Sequence, residues 1–338
     1  MSGSLFFPSI YPVQEDLTLV DDTTTVFQSS FGVGLTQRVT RIGPRWRIRV
    51  VYELLGEQLR NNMIGFLSAL RGKAYSFMYS PRHATLRGSF PASELLSNVA
   101  FDVTTGWTSS NAEMVLYPDS NRLRLIRNGV TGNRYAYAAQ LTGLTSGAAY
   151  LFRAANLKGK GSAYWDLRAG SSAGASTYLL SSTYQSNGYG HVANTIAATT
   201  AYASIYDYSS GRSIGDYQSY DGVSFSRCIR VNGAAQSGSA LNVKNLPVST
   251  NGLLKVGDVV SVFTERWELK RVTADLVSDS SGLGYLQFEP SLTAPPSDSA
   301  PIAVHAPTGR FIMASDPTFV TGPGKYTDIE IEMVEVIE

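Results

Sequence analysis

The sequence predicts a mainly β protein: a β-sandwich with one amphipathic helix, a second β-sandwich inserted after it, and a small β-barrel-like subdomain. Short runs that alternate apolar and polar residues recur along the 338 residues, and turn-forming Gly, Asn and Pro separate them. One segment instead repeats its apolar residues at steps of three and four, as an amphipathic helix does. Hydrophobic residues make up 43% of the chain, which is enough to bury several cores.

Residues 1–92 are predicted to form a strand, a helix and a further strand. Residues 45–52 alternate apolar with basic side chains, which is typical of a half-buried strand. The outer face of this strand carries three arginines: Arg45, Arg47 and Arg49. Residues 54–71 present one apolar helical face with Gly72 as the C-cap, and residues 74–79 follow as the next strand.

Residues 93–235 differ in composition and are predicted to form the inserted β-sandwich. Thirteen of the 19 tyrosines lie between Tyr117 and Tyr220, among many Gly, Ser, Thr and Ala residues. Short alternating runs that are separated by Gly and Asn favour a sandwich. The Gly and Ser content also fits a flexible linker, but the embedded strands and aromatic residues argue against that interpretation.

The remaining chain is predicted to be β as well. Residues 236–301 are expected to form the small β-barrel-like subdomain, and residues 302–338 are expected to return as strands to the N-terminal domain. In the last segment apolar residues alternate with Glu330 and Glu332. This alternation slips by one residue at Val334, which predicts a β-bulge there.

The arginines of the first strand and the glutamates of the last strand form complementary rows. The rows comprise Arg45, Arg47 and Arg49 on one strand and Glu330, Glu332 and Glu335 on the other. If the two strands meet, within one subunit or between two, the rows would pair and would set strand register and partner choice more than stability. Two unrelated solvated faces are the alternative interpretation. The net charge of +1 gives no reason to expect nucleic acid as a partner.

The sequence contains no evident catalytic or cofactor-binding constellation, so we expect neither an enzyme nor a cofactor. His83, His191 and His305 lie far apart, and none has the spacing of a zinc ligand, so no metal is expected. The single cysteine, Cys228, lies in a predicted strand and is expected to be a small buried residue. The glycine-rich stretches match no nucleotide-binding loop, and no nucleophile elbow follows a strand.

Three aspartates in the tyrosine-rich region keep one enzymatic hypothesis open. Glycoside hydrolysis needs two carboxylates that flank a sugar bond, and any two of Asp207, Asp216 and Asp221 would supply them. Aspartates in a β-sandwich more often close turns, end strands or bind a calcium ion.

The tyrosines of the central region are its most informative feature. The cluster comprises Tyr178, Tyr184, Tyr189, Tyr202, Tyr206, Tyr208, Tyr217 and Tyr220. A tyrosine ring offers an apolar face and a hydroxyl, which suits sugars and protein interfaces equally. Tyr184, Tyr189, Tyr206 and Tyr208 are the candidate glycan or surface contacts. Cross-strand packing within the sandwich is the alternative interpretation.

Export and membrane signals are absent from the sequence pattern. The first residues lack the basic start and long apolar run of a secretory signal. No apolar stretch approaches the length of a membrane-spanning helix, so no membrane insertion is expected.

The N-terminal and C-terminal regions resemble the belt domain and the second half of distal tail proteins from long, non-contractile-tailed phages. The N-terminal resemblance lies in residues 39–52 and 70–77, on either side of the predicted helix. The C-terminal resemblance lies in residues 252–260, 269–273 and 288–292. It implies a β-sandwich with a helix, whose subunits form a hexameric ring that joins the tail tube to the tip.

The central region is similar to a jelly-roll carbohydrate-binding module. The similar segments are Phe101–Asp102, Thr105–Trp107, Asn121–Leu125, Leu141–Thr145 and Asp221–Phe225. The resemblance implies that Trp107 anchors the core. The sugar-stacking residues of such modules vary, and none can be carried over to this chain.

Together the resemblances imply a structural component of a virion tail tip that is synthesised in the host bacterial cytoplasm. Its partners would be further copies of itself in a ring, the tail tube and tip-hub proteins, and a host-surface glycan on the inserted module. A minor tail protein that acts mainly as a glycan-binding adhesin is the alternative function, and a glycan hydrolase is the third.

Overall fold

The computed structural model describes most of the chain, in stretches that are separated by short gaps. The described residues are 5–8, 10–20, 24–28, 36–40, 44–72, 74–96, 106–117, 122–128, 134–138, 140–159, 164–181, 184–185, 188–208, 213–214, 216–321 and 327–336. Four residues of the module resemblance lie outside them: Phe101, Asp102, Thr105 and Asn121.

The fold is mainly β with one helix among the described residues, which confirms the predicted fold class. The N-terminal elements are β1 (Leu5–Phe6), β2 (Gln14–Val20), β3 (Thr24–Gln28), β4 (Thr36–Thr40), β5 (Arg45–Leu55), α1 (Glu57–Leu70) and β6 (Phe77–Tyr79). The central elements are β7 (Trp107–Ser110), β8 (Glu113–Tyr117), β9 (Arg122–Ile126), β10 (Arg134–Ala138), β11 (Leu141–Thr142), β12 (Ala148–Gly159), β13 (Tyr164–Gly170), β14 (Leu179–Leu180), β15 (Tyr184–Gln185), β16 (Gly188–Ile196), β17 (Thr200–Tyr208) and β18 (Tyr217–Arg227). The remaining elements are β19 (Ile229–Val231), β20 (Ala240–Lys244), β21 (Val259–Phe263), β22 (Trp267–Val272), β23 (Gly284–Glu289), β24 (Pro301–Ala303), β25 (Gly309–Met313), β26 (Thr318–Thr321) and β27 (Thr327–Glu335).

One sheet, which we call the belt sheet, combines strands from both ends of the described chain. Its order is β1-β6-β25-β27-β5-β2, with β26 added beside β27 and the β3–β4 pair forming a separate ladder. Strand β27 pairs antiparallel with β5, from Thr327 opposite Leu55 to Val334 opposite Arg47. The last strand therefore lies inside the N-terminal sheet and not at its edge.

Helix α1 covers the apolar face of the belt sheet. Met63, Leu67 and Leu70 pack with the inward-facing residues of β5 and β27 in one buried cluster. The helix begins at Glu57, later than the predicted residue 54, because β5 continues its alternation and its pairing through Leu55. Leu59, which the periodicity places on the apolar face, is 42% exposed.

The inserted region folds as a sandwich of two sheets. One sheet has the order β14-β13-β17-β10-β7, with β11 and β15 at its margins, and the other has the order β16-β12-β18-β9-β8. Alternate residues of both sheets meet in a shared core that includes Trp107, Trp165 and Phe225. Trp107 is 5% exposed, which agrees with a core position.

A closed barrel follows, with the strand order β19-β20-β23-β22-β21-β24. It begins at Ile229 and ends at Ala303, so its first strand lies before the boundary at residue 236 that composition predicts. The Gly- and Ser-rich composition of the sandwich continues past β19 and hides this boundary in the sequence. Within the described residues, no helix is long and apolar enough to cross a bilayer.

The sandwich, the barrel and the belt sheet meet in one junction. Met78 of the belt sheet, Leu151 of the sandwich and Trp267 of the barrel belong to one buried apolar cluster. Arg153 of β12 is 2% exposed and donates from Nη2 to the carbonyl of His305 at 2.9 Å and from Nη1 to that of Ala306 at 3.1 Å. A buried guanidinium that is held by backbone carbonyls ties the sandwich to the connection between barrel and belt sheet.

Candidate functional site: a tyrosine face on the inserted sandwich

The outer face of one sandwich sheet is lined by aromatic side chains. Successive side chains of strands β10, β13 and β17 point to opposite faces of the sheet, so every second residue points away from the core, although Asp166 and Ser204 on the outer side are themselves buried. We call the aromatic and charged side chains among these outward residues the tyrosine face. They are Tyr135, Tyr137, Tyr164, Asp166, Arg168, Tyr202, Tyr206 and Tyr208. Strand register places Tyr135 opposite Tyr206 and Tyr164 opposite Tyr208, so side chains that are distant in sequence become neighbours.

Ring–ring contacts organise the tyrosine face. The rings of Tyr135 and Tyr206 stack with centroids 5.5 Å apart and planes 4° apart. Tyr208 meets Tyr206 edge-on at 5.4 Å, and Tyr202 meets Tyr137 edge-on at 6.3 Å. Aromatic pairs of this kind stabilise by about 0.5–1.5 kcal/mol beyond the area they bury.

A polar network lies beside the stacked rings. Asp166 accepts two hydrogen bonds from Arg168, from Nε to Oδ1 at 2.8 Å and from Nη2 to Oδ2 at 3.0 Å. The hydroxyl of Tyr208 donates to Asp166 Oδ2 at 2.7 Å and accepts from Arg168 Nη2 at 2.8 Å. The guanidinium carbon of Arg168 lies 3.5 Å from the ring centroid of Tyr206. This side chain is therefore held by a carboxylate, a hydroxyl and a ring.

The network shifts the pKa values of Arg168 and Tyr208. Burial lowers the pKa of Arg168, but the hydrogen bond and charge of Asp166 outweigh it and raise the pKa above its ordinary value. Burial, together with the hydrogen bond to Asp166, raises the pKa of the Tyr208 hydroxyl. Both groups consequently keep their protons at neutral pH, so the arginine stays charged and the phenol neutral.

A loop folds over one end of the stack. Gly174 has a φ of +74°, and a Cβ at this position would lie 3.0 Å from the ring of Tyr135. Its N–H donates to Ser204 Oγ at 3.0 Å, and its carbonyl accepts from Arg168 Nη1 at 3.3 Å. The glycine lets the loop approach the ring closely and fixes it against the tyrosine face.

The rings differ in how much surface they offer to a ligand. Tyr206 lies between Tyr135 on one neighbouring strand and Arg168 on the other, so both of its faces are covered. Tyr164 is 47% exposed, and Tyr137 is partly exposed. We therefore assign Tyr206 to the support of the face and Tyr164 to its accessible surface.

The four predicted contact tyrosines are only partly brought together. Tyr206 and Tyr208 lie side by side on the tyrosine face. Tyr189 lies on the other sheet, where it packs against the apolar cluster of the junction. The side chain of Tyr184 lies outside the described residues, although its backbone forms β15 beside β13.

Five members of the tyrosine face were not singled out from the sequence. They are Tyr135, Tyr137, Tyr164, Asp166 and Arg168. The period-two spacing of residues 135 and 137, and of residues 164, 166 and 168, indicates that each set shares one face of its strand. The sequence does not reveal that these strands are neighbours of β17, because the pairing joins segments that are distant along the chain.

The aspartates of the hydrolase hypothesis have structural contacts. Asp207 is fully buried between the sheets, where Oδ2 lies 2.5 Å from Nη2 of Arg134. Arg134 also donates to the carbonyl of Asp216, whose carboxylate accepts the N–H of Ser213. The side chain of Asp221 lies outside the described residues. Asp207 thus lies where no dissolved glycan reaches it.

The complementary charge rows meet at Arg49. Its Nε lies 2.5 Å from Glu330 Oε1 and its Nη1 lies 3.7 Å from Asp16, while Glu332 is directly opposite in the strand register. The pairing raises the pKa of Arg49, chiefly through the hydrogen bond to Glu330, and lowers that of Glu330. Arg49 therefore forms ion pairs with acidic side chains of the strands on both sides of β5.

The other two arginines of the row lie beyond the glutamates. Strand register places Arg47 opposite Val334 and Arg45 opposite Val20. Both line a groove of about 320 Å³ together with Val20, Ile312 and Val334. This end of the belt sheet is consequently basic with apolar walls.

The β-bulge predicted at Val334 is not present, because β27 keeps its alternation through Glu335. The register irregularity of this strand lies instead between Thr327 and Ile329. Glu335 is 7% exposed and accepts the N–H groups of Trp46 and Leu269. Hydrogen bonds to these buried donors hold the carboxyl inside, so Glu335 is not part of the outer acidic row.

The histidines and the cysteine take ordinary structural positions. His191 packs against the rings of Phe263 and Trp267, and its burial, aided by the charge of Arg153, lowers its pKa to about 4. Cys228 is fully buried, as predicted, and burial raises its pKa to about 12. No cluster of His, Cys, Asp and Glu suited to a metal ion occurs among the described residues.

This chain has a distant structural neighbour among known proteins but no matching family. No family model matches it, and no curated protein matches it. Among solved structures, the adhesin domain of Epf from Streptococcus pyogenes is similar at 12% sequence identity, over 64% of this chain and 80% of that one. The TM-score of 0.27 is too low to establish a shared fold.

Proposed function

We propose that this chain is a non-enzymatic structural protein of a phage tail tip whose inserted sandwich binds a host-surface glycan. In this proposal the belt sheet and the barrel form the assembling body, and the tyrosine face is the binding surface. The observation that carries the binding function is the row of aromatic rings and hydroxyls on the outside of one sandwich sheet. The belt-like and module-like segments of the sequence are the reason for placing it in a tail tip.

The order of the three regions along the chain supports a belt sheet and barrel that present the sandwich as a separate binding module. The pairing of β6 with β25 makes the barrel an insertion into the belt sheet. Phe90 and Ala92 pack in the barrel core before the chain enters the sandwich, so the sandwich is in turn inserted into the barrel. Glu94 stands where the chain passes into the sandwich and accepts the N–H of Phe225 near the point where the chain leaves it. An insertion of this kind adds a binding surface without interrupting the core of the parent sheet.

The chemistry of the tyrosine face supports a sugar as its ligand. Sugar rings have an apolar face and polar edges, which the aromatic faces and hydroxyls of tyrosines match. Tyr164 offers the most accessible ring, beside Tyr208. The stack of Tyr135, Tyr206 and Arg168 holds the surface rigid, so binding costs little side-chain entropy.

The basic groove at Arg45 and Arg47 supports assembly of the body. The groove combines two arginines with apolar walls, and the same outer face carries Glu330 and Glu332 farther along β27. We assign the ring contact to this groove, with acidic side chains of a second copy other than Glu330 as its occupant, because Glu330 is paired with Arg49 within the subunit. Opposite charges on one face would fix the orientation of neighbouring subunits more than they would stabilise the ring.

Retention of the full chain on immobilised host polysaccharide tests the binding function. We expect the wild-type protein to bind, and we expect Tyr164→Ala to weaken binding by roughly 3- to 10-fold because one stacking ring is lost. Tyr285→Ala is the matched control, since Tyr285 is 55% exposed and lies on β23 of the barrel, outside the tyrosine face. Absence of binding at millimolar sugar, or equal losses in both variants, would contradict the proposal.

A further inference from the structure

We infer that the tyrosine face selects neutral glycans over glycans that carry carboxylate or sulfate groups. This inference rests on the proposed glycan-binding function and names the class of ligand that the same surface takes. It follows from the charges of the face, which cancel within the protein before any ligand arrives.

Arg168 is the positively charged residue of the tyrosine face, and most of its hydrogen-bond donors already bind acceptors of the protein. Its Nε and Nη2 bind both oxygens of Asp166, its Nη2 also binds the Tyr208 hydroxyl, and its Nη1 binds the carbonyl of Gly174. These contacts use four of the five N–H donors that a guanidinium has. Its flat face lies over Tyr206. An acidic sugar would have to displace Asp166 to gain a bidentate contact with it.

Asp166 opposes an acidic ligand for a second reason. Its side chain is 1% exposed and lies within the same network, so its negative charge is close to the surface but poorly screened by water. A ligand carboxylate at the Tyr208 end would approach this charge with no uncompensated cation nearby among the described residues of the face. An acidic glycan would thus give up hydration of its charge without gaining an ion pair, a cost that a neutral glycan does not have.

The described outward groups of β7 beside the face are neutral hydroxyls. Strand register places Ser110 beside Tyr135 and Thr108 beside Tyr137, which extends the surface onto β7. Hydroxyls and phenols donate and accept hydrogen bonds without a net charge. They match the hydroxyl groups of a neutral sugar chain.

Binding of the full-length protein to two polysaccharide sets tests this selectivity. Neutral glucan, mannan and galactan are compared with polygalacturonate, alginate and chondroitin sulfate, at about 50 mM and about 500 mM NaCl. We expect a neutral polysaccharide to bind with less than roughly a twofold change between the two salt concentrations, because no ion pair contributes. We expect no detectable binding of the acidic polymers at either concentration.

The substitution Asp166→Asn supplies a gain-of-function test. It keeps a hydrogen-bond acceptor for Arg168 but removes the negative charge, so the variant should acquire salt-sensitive binding of the acidic polymers, with a signal roughly threefold or more above the detection limit at low salt. Asp316→Asn is the matched control, because it changes the net charge equally at an exposed position of the belt region.

The outcomes separate the inference from the function on which it rests. Salt-insensitive binding of a neutral polysaccharide by the wild-type protein supports both. Salt-sensitive binding of an acidic polymer by the wild-type protein overturns the selectivity and leaves glycan binding intact. Failure to bind any polysaccharide overturns the proposed function, and the selectivity with it. The wild-type measurements decide the matter even if Asp166→Asn does not fold.

Discussion

At the residue scale, Glu335 shows how hydrogen bonding overrides a hydrophobic pattern. The sequence places Val334 inside and Glu335 outside, because an apolar residue follows Met333 directly. The structure reverses them, since Glu335 binds the N–H groups of Trp46 and Leu269 where belt sheet and barrel meet. Sequence pattern alone cannot reveal such a position, because the two donors lie far away along the chain.

The buried carboxyl of Glu335 predicts a pH-dependent stability. Burial raises its pKa to about 7 from an ordinary value of 4.5, despite the nearby charge of Lys270. The folded state therefore holds a proton that the unfolded state releases between about pH 4.5 and pH 7. The stabilisation from this group is fully present below pH 4.5, and it is lost as the pH rises through 7.

The variant Glu335→Gln isolates this effect. We expect the wild-type protein to lose about 3 kcal/mol of unfolding free energy, relative to the variant, when the pH is raised from 4.5 to 8. Urea denaturation of both proteins across this range measures the difference. Parallel stability curves would show that Glu335 does not titrate in this window. Taking the difference between the two proteins removes the opposite contribution of His191, whose lowered pKa makes acidification destabilising.

At the element scale, periodicity predicts strands and the helix better than it predicts their ends. The alternation of residues 45–52 and the helical spacing after it both correspond to real elements. The boundary at residue 54 is misplaced because Leu55 satisfies both patterns, and only its pairing with Thr327 assigns it to β5. Local sequence cannot supply that distant partner.

The candidate site was also only partly predictable from local sequence. Tyr206 and Tyr208 could be selected from composition, and strand parity places them on one face. Parity does not say which sheet faces solvent and which packs against the barrel. Tyr189 therefore has the same sequence signal as Tyr206 but lies in the junction.

The central position of β27 in the belt sheet predicts a strong effect of its inward residues. Ile331 is fully buried in the core under α1, so Ile331→Ala should cost about 2–5 kcal/mol of unfolding free energy. The neighbouring Glu332 points outward, so Glu332→Ala should cost less than about 0.5 kcal/mol. Urea denaturation compares the two. Similar losses would mean that β27 does not occupy this place.

Removal of residues 327–338 deletes β27 and so tests its pairing with β5 and β25 directly. Without β27 the strands β25 and β5 lose their shared neighbour, so residues 1–92 should become sensitive to protease. Limited proteolysis followed by mass analysis of the fragments locates the new cleavage sites. Unchanged protection of residues 1–92 would contradict the combined sheet.

At the scale of the whole molecule, the junction determines how the sandwich is presented. Arg153 joins the sandwich to the carbonyls of residues 305 and 306, and His305 Nε2 lies 3.3 Å from Glu94 Oε2 at the start of the sandwich. Burial raises the pKa of Glu94, but the hydrogen bonds from His305 and the backbone outweigh it and lower the pKa. With these polar ties and a shared apolar cluster, the sandwich is held at a fixed angle to the belt sheet. If the subunits form the proposed ring, we expect their tyrosine faces to lie in a regular array, in which many weak contacts with the proposed glycan act together.

Electron microscopy of the purified full-length chain tests the central claim, which is that the belt sheet and barrel assemble with copies of themselves. We expect closed rings with the sandwich projecting from each subunit. We also expect Arg47→Glu to abolish the rings, while Arg60→Glu, on the helix side of the belt sheet, leaves them intact. Particles of the size of a single chain at every protein concentration would contradict the account and would favour a monomeric glycan-binding adhesin.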